Sequence, residues 1–238
     1  RPIKRRRSTR RFRARRRPRR TVRPVRSGSM LSYEFRPEMK HVSVLFNETG
    51  LGTLGGFLQH YLNGVPEGLG EAMRDGNQIF GKGFSLKLNL NNNISSSAMF
   101  VRMAYITYPE QTAGTPGADT TKLLMAPSGE TTYTVTQAKA LTEMQSILLP
   151  WNLKFNKEIK ILWSRTVKLE ASGNRGSSRY ITKYVPLNKR IQYNGGTTNS
   201  NCTYATYFVM WCCRGDNDTA LGSTVEVSGY SKYAWHDV

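Results

Sequence analysis

Alternation of apolar and polar residues recurs along this chain in short runs closed by turn residues, and that pattern limits it to an antiparallel β architecture. Phe84, Leu86, Leu88 and Leu90 alternate with Ser85, Lys87 and Asn89. A strand has that period when one face meets a core and the other meets water. Val42, Val44 and Phe46 alternate in the same way. Ile159, Ile161, Trp163, Val167 and Leu169 keep odd-numbered register, as do Ile181, Val185, Leu187, Ile191 and Tyr193. Pro186 has no amide hydrogen to give a ladder, so it predicts a bulge or a sheet edge within the last run. Residues 98–108 and 203–213 are apolar on both faces, interrupted by Arg102 in the first, and read as central strands. Residues 223–235 supply a further strand.

Asparagine- and glycine-rich clusters at 91–93, 114–119, 172–178, 194–196 and 214–218 read as the turns between these runs. The best helix candidate is 137–149, ended by Pro150. Residues 50–75 hold seven glycines and Pro66, and read as loop with one short helix around 57–62. Many short strands, many turns and little helix predict an all-β sandwich or barrel.

The charge is as uneven as the apolar pattern is regular. The chain carries 35 Lys and Arg against 16 Asp and Glu. Residues 1–26 hold fifteen of those bases and no acid, so residues 27–238 keep twenty bases against sixteen acids, a net +4. A block of like charge this dense cannot collapse on itself and stays disordered or extended until a polyanion neutralises it. Arginine dominates, and a guanidinium pairs with phosphate oxygens through two parallel hydrogen bonds. The candidate nucleic-acid-binding residues are therefore Arg5, Arg6, Arg7, Arg10, Arg11, Arg13, Arg15, Arg16, Arg17, Arg19, Arg20, Arg23 and Arg26. The same block exceeds what a nuclear localisation signal needs and can serve as one. Ser27-Gly28-Ser29 reads as the hinge, giving a basic arm at 1–26 and a body at 27–238.

Other function classes find little support. Gly50-Leu-Gly52-Thr-Leu-Gly55 matches a dinucleotide-binding string, but the strand before it alternates and the following helix would be cut at Asn63-Gly64-Val65-Pro66. His41, His60 and His236 are scattered, so neither a catalytic set nor a metal site is expected, and no cofactor. Cys202, Cys212 and Cys213 lack zinc spacing and form no disulfide framework; Cys212 and Cys213 should face opposite sides of one strand. No apolar run is long enough to span a membrane. Arg214-Gly215-Asp216 matches the tripeptide that some integrins bind, in a turn.

The layout resembles a known family at several points. Arg74-Asp75-Gly76-Asn77-Gln78-Ile79-Phe80-Gly81-Lys82-Gly83 followed by an alternating strand resembles the approach to the second strand in geminivirus-like and satellite tobacco necrosis virus coat proteins, with Ile79 where those families carry Arg. Tyr184-Val-Pro-Leu-Asn188 and Ile191-Gln-Tyr193-Asn194-Gly195 resemble their penultimate pair of strands around a turn, and Tyr230-Ser-Lys-Tyr233-Ala-Trp235-His-Asp237 resembles their last strand. The resemblance implies a capsid protein of a CRESS-type, circovirus-like virus with a circular single-stranded DNA genome. It implies an eight-stranded single jelly-roll sandwich behind a disordered or extended Arg-rich arm. It further implies a homo-oligomeric T=1 icosahedral shell of sixty copies, a genomic single-stranded DNA partner, host import receptors, a cell-surface receptor, and localisation in the virion and, during assembly, the host nucleus. Membrane insertion and enzymatic activity are not expected. A nucleic-acid-binding protein that forms no shell, of viral nuclear shuttle or ribosomal type, is one alternative. A coat for a small single-stranded RNA satellite virus is the other, because Arg–phosphate contacts ignore the sugar.

Overall fold

The computed structural model describes residues 38–51, 57–92, 98–109, 123–124, 147–153, 157–171, 177–194, 202–214 and 225–238. They belong to one compact unit, Pro37–Val238. Eight strands follow in chain order: β1 (Met39–Leu51), β2 (Phe57–Tyr61), β3 (Gln78–Asn92), β4 (Met99–Tyr108), β5 (Lys160–Leu169), β6 (Ser177–Gln192), β7 (Ala205–Arg214) and β8 (Val225–Asp237). They form two four-stranded sheets in the orders β1-β8-β3-β6 and β2-β7-β4-β5, with every neighbouring pair antiparallel. This is the strand order of an eight-stranded jelly-roll sandwich, as expected.

The apolar pattern of each strand follows from what covers its sheet. The core between the sheets takes Phe84, Leu86, Leu88 and Leu90 of β3, Ile181, Val185, Leu187 and Ile191 of β6, and Met99, Val101, Met103 and Tyr105 of β4. A second apolar cluster covers the far face of the other sheet. There Ala104 and Ile106 of β4 and Tyr207, Val209 and Trp211 of β7 pack with Leu123, Leu124 and Ile147. So β4 and β7 are apolar on both faces because both faces are buried, whereas β1, β3 and β8 alternate because their outer face is open. Cys212 sits in the first cluster and Cys213 in the second, as two successive residues of one strand must. All three cysteines are free thiols and buried.

Phe84 ties the two layers together. It stacks on Tyr233 at 4.9 Å and on Tyr105 of the opposite sheet at 5.5 Å, and Tyr233 continues onto Trp235 at 5.5 Å. Tyr105 and Ser231 share a hydrogen bond of 2.8 Å across the layers. Aromatic pairs at such separations add about 0.5–1.5 kcal/mol each beyond their buried area.

Several local expectations change. Residues 57–61 are a strand, β2, paired with β7 from Phe57↔Trp211 to Tyr61↔Tyr207. Consequently the strand after Arg74–Gly83 is the third, not the second. The two segments around Leu187-Asn188 are one strand, not a pair around a turn. β6 runs unbroken from Ser177 to Gln192, absorbing Pro186 in a register shift opposite Gly81 and Gly83 and Asn188 at a φ of 48°. The predicted bulge and edge position of Pro186 are both present. In β5 the odd-numbered register breaks: Ile161 pairs with Ile106 but Trp163 with Tyr105, so Leu162 is the extra residue of a bulge. Ile159 and Ile161 therefore pack in the second cluster, Trp163, Val167 and Leu169 in the first. Of the helix expected at 137–149, residues 137–146 lie outside the described residues.

Candidate nucleic-acid interface

The arginines of the predicted arm, Arg5 to Arg26, lie outside the described residues, as do the arm–body boundary and Gly215-Asp216 of the integrin-type tripeptide. The interface within the sandwich must therefore be built from the bases of the body, and these divide into buried and exposed sets.

Two arginines are structural. Arg74 is fully buried. It donates to the carbonyl of Val65 at 3.1 Å, to the carbonyl of Gly76 and to Asn77 at 3.3 Å, pairs with Glu67 at 3.2 Å, and lies 4.4 Å over the ring of Tyr193. This fastens the loop between β2 and β3. Arg102 projects from β4 into the second cluster, between Trp151 at 4.1 Å and Trp211 at 5.5 Å. It donates to the carbonyls of Ile147 and Leu149, and burial pulls its pKa down to about 10, which leaves it charged at neutral pH. A guanidinium spent on carbonyls and indole rings in this way is not offered to a ligand.

Lys40 is also committed. It bridges Asp237 at 2.8 Å and Asp75 at 3.1 Å and donates to the carbonyl of Met73 at 3.1 Å. Asp237, with Asp75 beside it, raises its pKa above the ordinary lysine value against the opposing effect of burial. The three groups pin the start of β1 to the end of β8 and to the approach to β3. The polar knot beside them is neutral: Tyr61 and Cys202 share a 3.0 Å hydrogen bond, and Tyr193 donates to the carbonyl of Asn63 at 2.8 Å. Burial pushes the Cys202 thiol up to about 12 and Tyr61 and Tyr193 well above the usual phenol range, so none is a thiolate or phenolate at neutral pH. Among the described residues no cluster of three or more His, Cys, Asp or Glu is arranged to hold a metal ion. No helix among them is long and apolar enough to cross a membrane.

Exposed bases lie on β5 and on the sheet that has an open face. Leu45, Tyr230, Lys87 and Thr182 lie in one row across β1, β8, β3 and β6. Ser43, Lys232, Ser85 and Tyr184 form the next, and Asn47, Ser228, Asn89 and Tyr180 another. These three rows contain two lysines, three tyrosines and no acid. Lys87 sits 5.9 Å over the Tyr230 ring, and Lys82 4.9 Å over Phe80. A polar sheet face with lysines and exposed rings can carry phosphates and stacked bases at once. The sequence reading assigned no body residue to the interface. The signal was present in β6, SSRYITKYVPLNKRIQ, which carries four bases and no acid.

No family model matches this chain, and none of the curated proteins matches it.

Proposed function

We propose that this chain is a structural capsid protein, not an enzyme, which assembles into a small icosahedral shell and packages a circular single-stranded DNA genome through its basic arm. The observation that carries the reading is the conjunction of fifteen bases without an acid in residues 1–26 with an eight-stranded jelly roll after them. Jelly rolls serve as viral capsid domains among other roles. An arm of this charge neutralises phosphates without reading sequence, releases their counterions, and makes binding weaken steeply with salt. The sandwich contributes the contacts between copies, and closed symmetry makes individually weak contacts add. Packaging in the nucleus would use the same arm as an import signal.

Expression of the full chain alone should yield discrete, uniform particles in negative stain. Deleting residues 1–26 should leave a folded sandwich whose 260/280 nm absorbance ratio falls well below that of the full chain. A ratio unchanged by the deletion would show that the arm does not package. Digestion of the released cargo from authentic particles by DNase and not by RNase is the expected result; the reverse would identify an RNA coat.

A further inference from the structure

The bases of the sandwich are not spread evenly. β5 and β6 together hold seven bases and no acid. Residues 27–238 as a whole net only +4, so taking these seven away leaves the rest of that span at −3. The two strands are edges of opposite sheets: β5 pairs only with β4, and β6 only with β3. They therefore flank one open side of the sandwich.

The local geometry is unusual for an edge. Arg179 and Lys183 pair with Leu90 and Leu86, both fully buried, so they stand on the core-facing side of β6. Yet both are exposed. Beside them lies a cleft of about 320 Å³ lined by Arg165, Lys168, Arg179 and Tyr180, among others. Glu170, paired with Lys168 at 3.0 Å, is the one acid in its lining. On the outward side of β6, Tyr180 and Tyr184 are 66% and 53% exposed, two large rings in water with no apolar cover.

We propose that this seam binds a segment of single-stranded nucleic acid, with its phosphates on Arg165, Lys168, Arg179 and Lys183 and its bases stacked on Tyr180 and Tyr184. The inference rests on the reading of the chain as a packaging protein and extends binding from the arm to the sandwich. Edge protection against strand-to-strand aggregation needs only an inward-pointing charge or two. It accounts neither for seven bases nor for the exposed rings, which add apolar surface to an edge. Self-association through the same seam on two copies would set seven positive charges against seven. A single strand supplies what the seam lacks, a regular row of negative charge with unpaired π-faces beside it.

The test uses the full chain, freed of nucleic acid and mixed with an oligothymidylate carrying 4-thiothymidine, then irradiated and digested with trypsin. Nucleotide adducts are expected on arm peptides and also on peptides 180–183 and 184–189 of β6. Tyr180→Ala/Tyr184→Ala should lose the β6 adducts and weaken binding by at least about thirtyfold. Arg165→Gln/Arg179→Gln/Lys183→Gln should flatten the slope of log K against log salt by about two, at about 0.7 per phosphate contact. All five side chains are exposed, so the melting temperature should hold. The conservative pair Arg179→Lys and Tyr184→Phe should keep both readouts. Adducts on β6 but none on the arm would support the seam and sink arm-driven packaging. Adducts confined to the arm with an unchanged salt slope would leave that packaging intact and overturn the seam. Variants that aggregate or fail to form particles while binding nucleic acid normally would also overturn it, by assigning β6 to edge protection or to contacts between copies.

Discussion

Single residues in this protein are legible by what surrounds them rather than by their type. Arg74 and Arg102 count towards a basic composition, yet both are buried among carbonyls and aromatic rings. Truncating Arg102 leaves the carbonyls of Ile147 and Leu149 without their donor and opens a gap between Trp151 and Trp211. An unsatisfied buried polar group costs about 1–3 kcal/mol, and the lost packing adds to it. Arg102→Ala should therefore lower stability by about 3 kcal/mol in urea unfolding, with Arg102→Lys intermediate. A loss under about 0.5 kcal/mol would mean that Arg102 does not hold the second cluster together. The buried thiols give a pH dependence. Burial raises Cys202 and Cys213 from 9 to about 12. Above about pH 9 the unfolded chain releases these protons while the folded chain keeps them, so stability is full below that pH and is lost from there towards 12. Each thiol takes away about 1.4 kcal/mol per pH unit in that window. The urea midpoint should fall from pH 8 to pH 10.5, and a midpoint that rises over this interval would contradict the burial. Native protein at neutral pH should resist a thiol reagent, and denatured, non-reduced protein should show three reactive groups.

At the scale of elements, β8 depends on a contact that only glycine allows. Gly229 pairs with Phe46 of β1 on one side and Leu88 of β3 on the other, at a φ of 143°. A Cβ there would stand 2.1 Å from the carbonyl oxygen of Lys87. The obstacle is backbone and cannot swing aside, so Gly229→Ala should cost at least about 2 kcal/mol and lower the melting temperature. Stability within about 0.5 kcal/mol of the parent would show that the two strands do not approach so closely. Strands such as β3 and β6 were readable because one face is dry and the other wet, and β4 and β7 because a second cluster dries both. β2 was not, because Phe57, Leu58 and Tyr61 fit a helical spacing as well as a strand and stand among glycines. Pairing with β7 decides in favour of the strand, and a partner distant in sequence leaves no local mark. The bulge in β5 left only a partial mark: Leu162 makes an apolar run with Ile161 and Trp163, but the pairing with Tyr105 and Ile106 is what shows it to be an extra residue. The arm of the candidate interface was visible because its charge is contiguous. The seam was not, because its bases are interleaved with the core residues Val167, Ile181 and Val185.

At the scale of the whole molecule, the proposed packaging role makes charge a measure of the cargo's size. If the shell is the smallest icosahedron, about sixty copies of a fifteen-charge arm bring about 900 positive charges to the lumen. Each nucleotide of a single strand adds one negative charge, and small counterions neutralise part of the genome. The packaged strand should then be on the order of one to two thousand nucleotides. The seam shifts this estimate in a known direction. If each copy adds the four seam bases Arg165, Lys168, Arg179 and Lys183 to its arm, about sixty copies contribute about 240 further charges, which raises the expectation within the same range. The two contributions separate by salt and by deletion. Removing residues 1–26 should take away about four fifths of the protected length if particles still form, since fifteen of nineteen engaged charges go with it. Sizing the nuclease-protected strand from authentic particles provides the measurement. A protected strand above about five thousand nucleotides would exclude either the sixty-copy shell or neutralisation dominated by these bases.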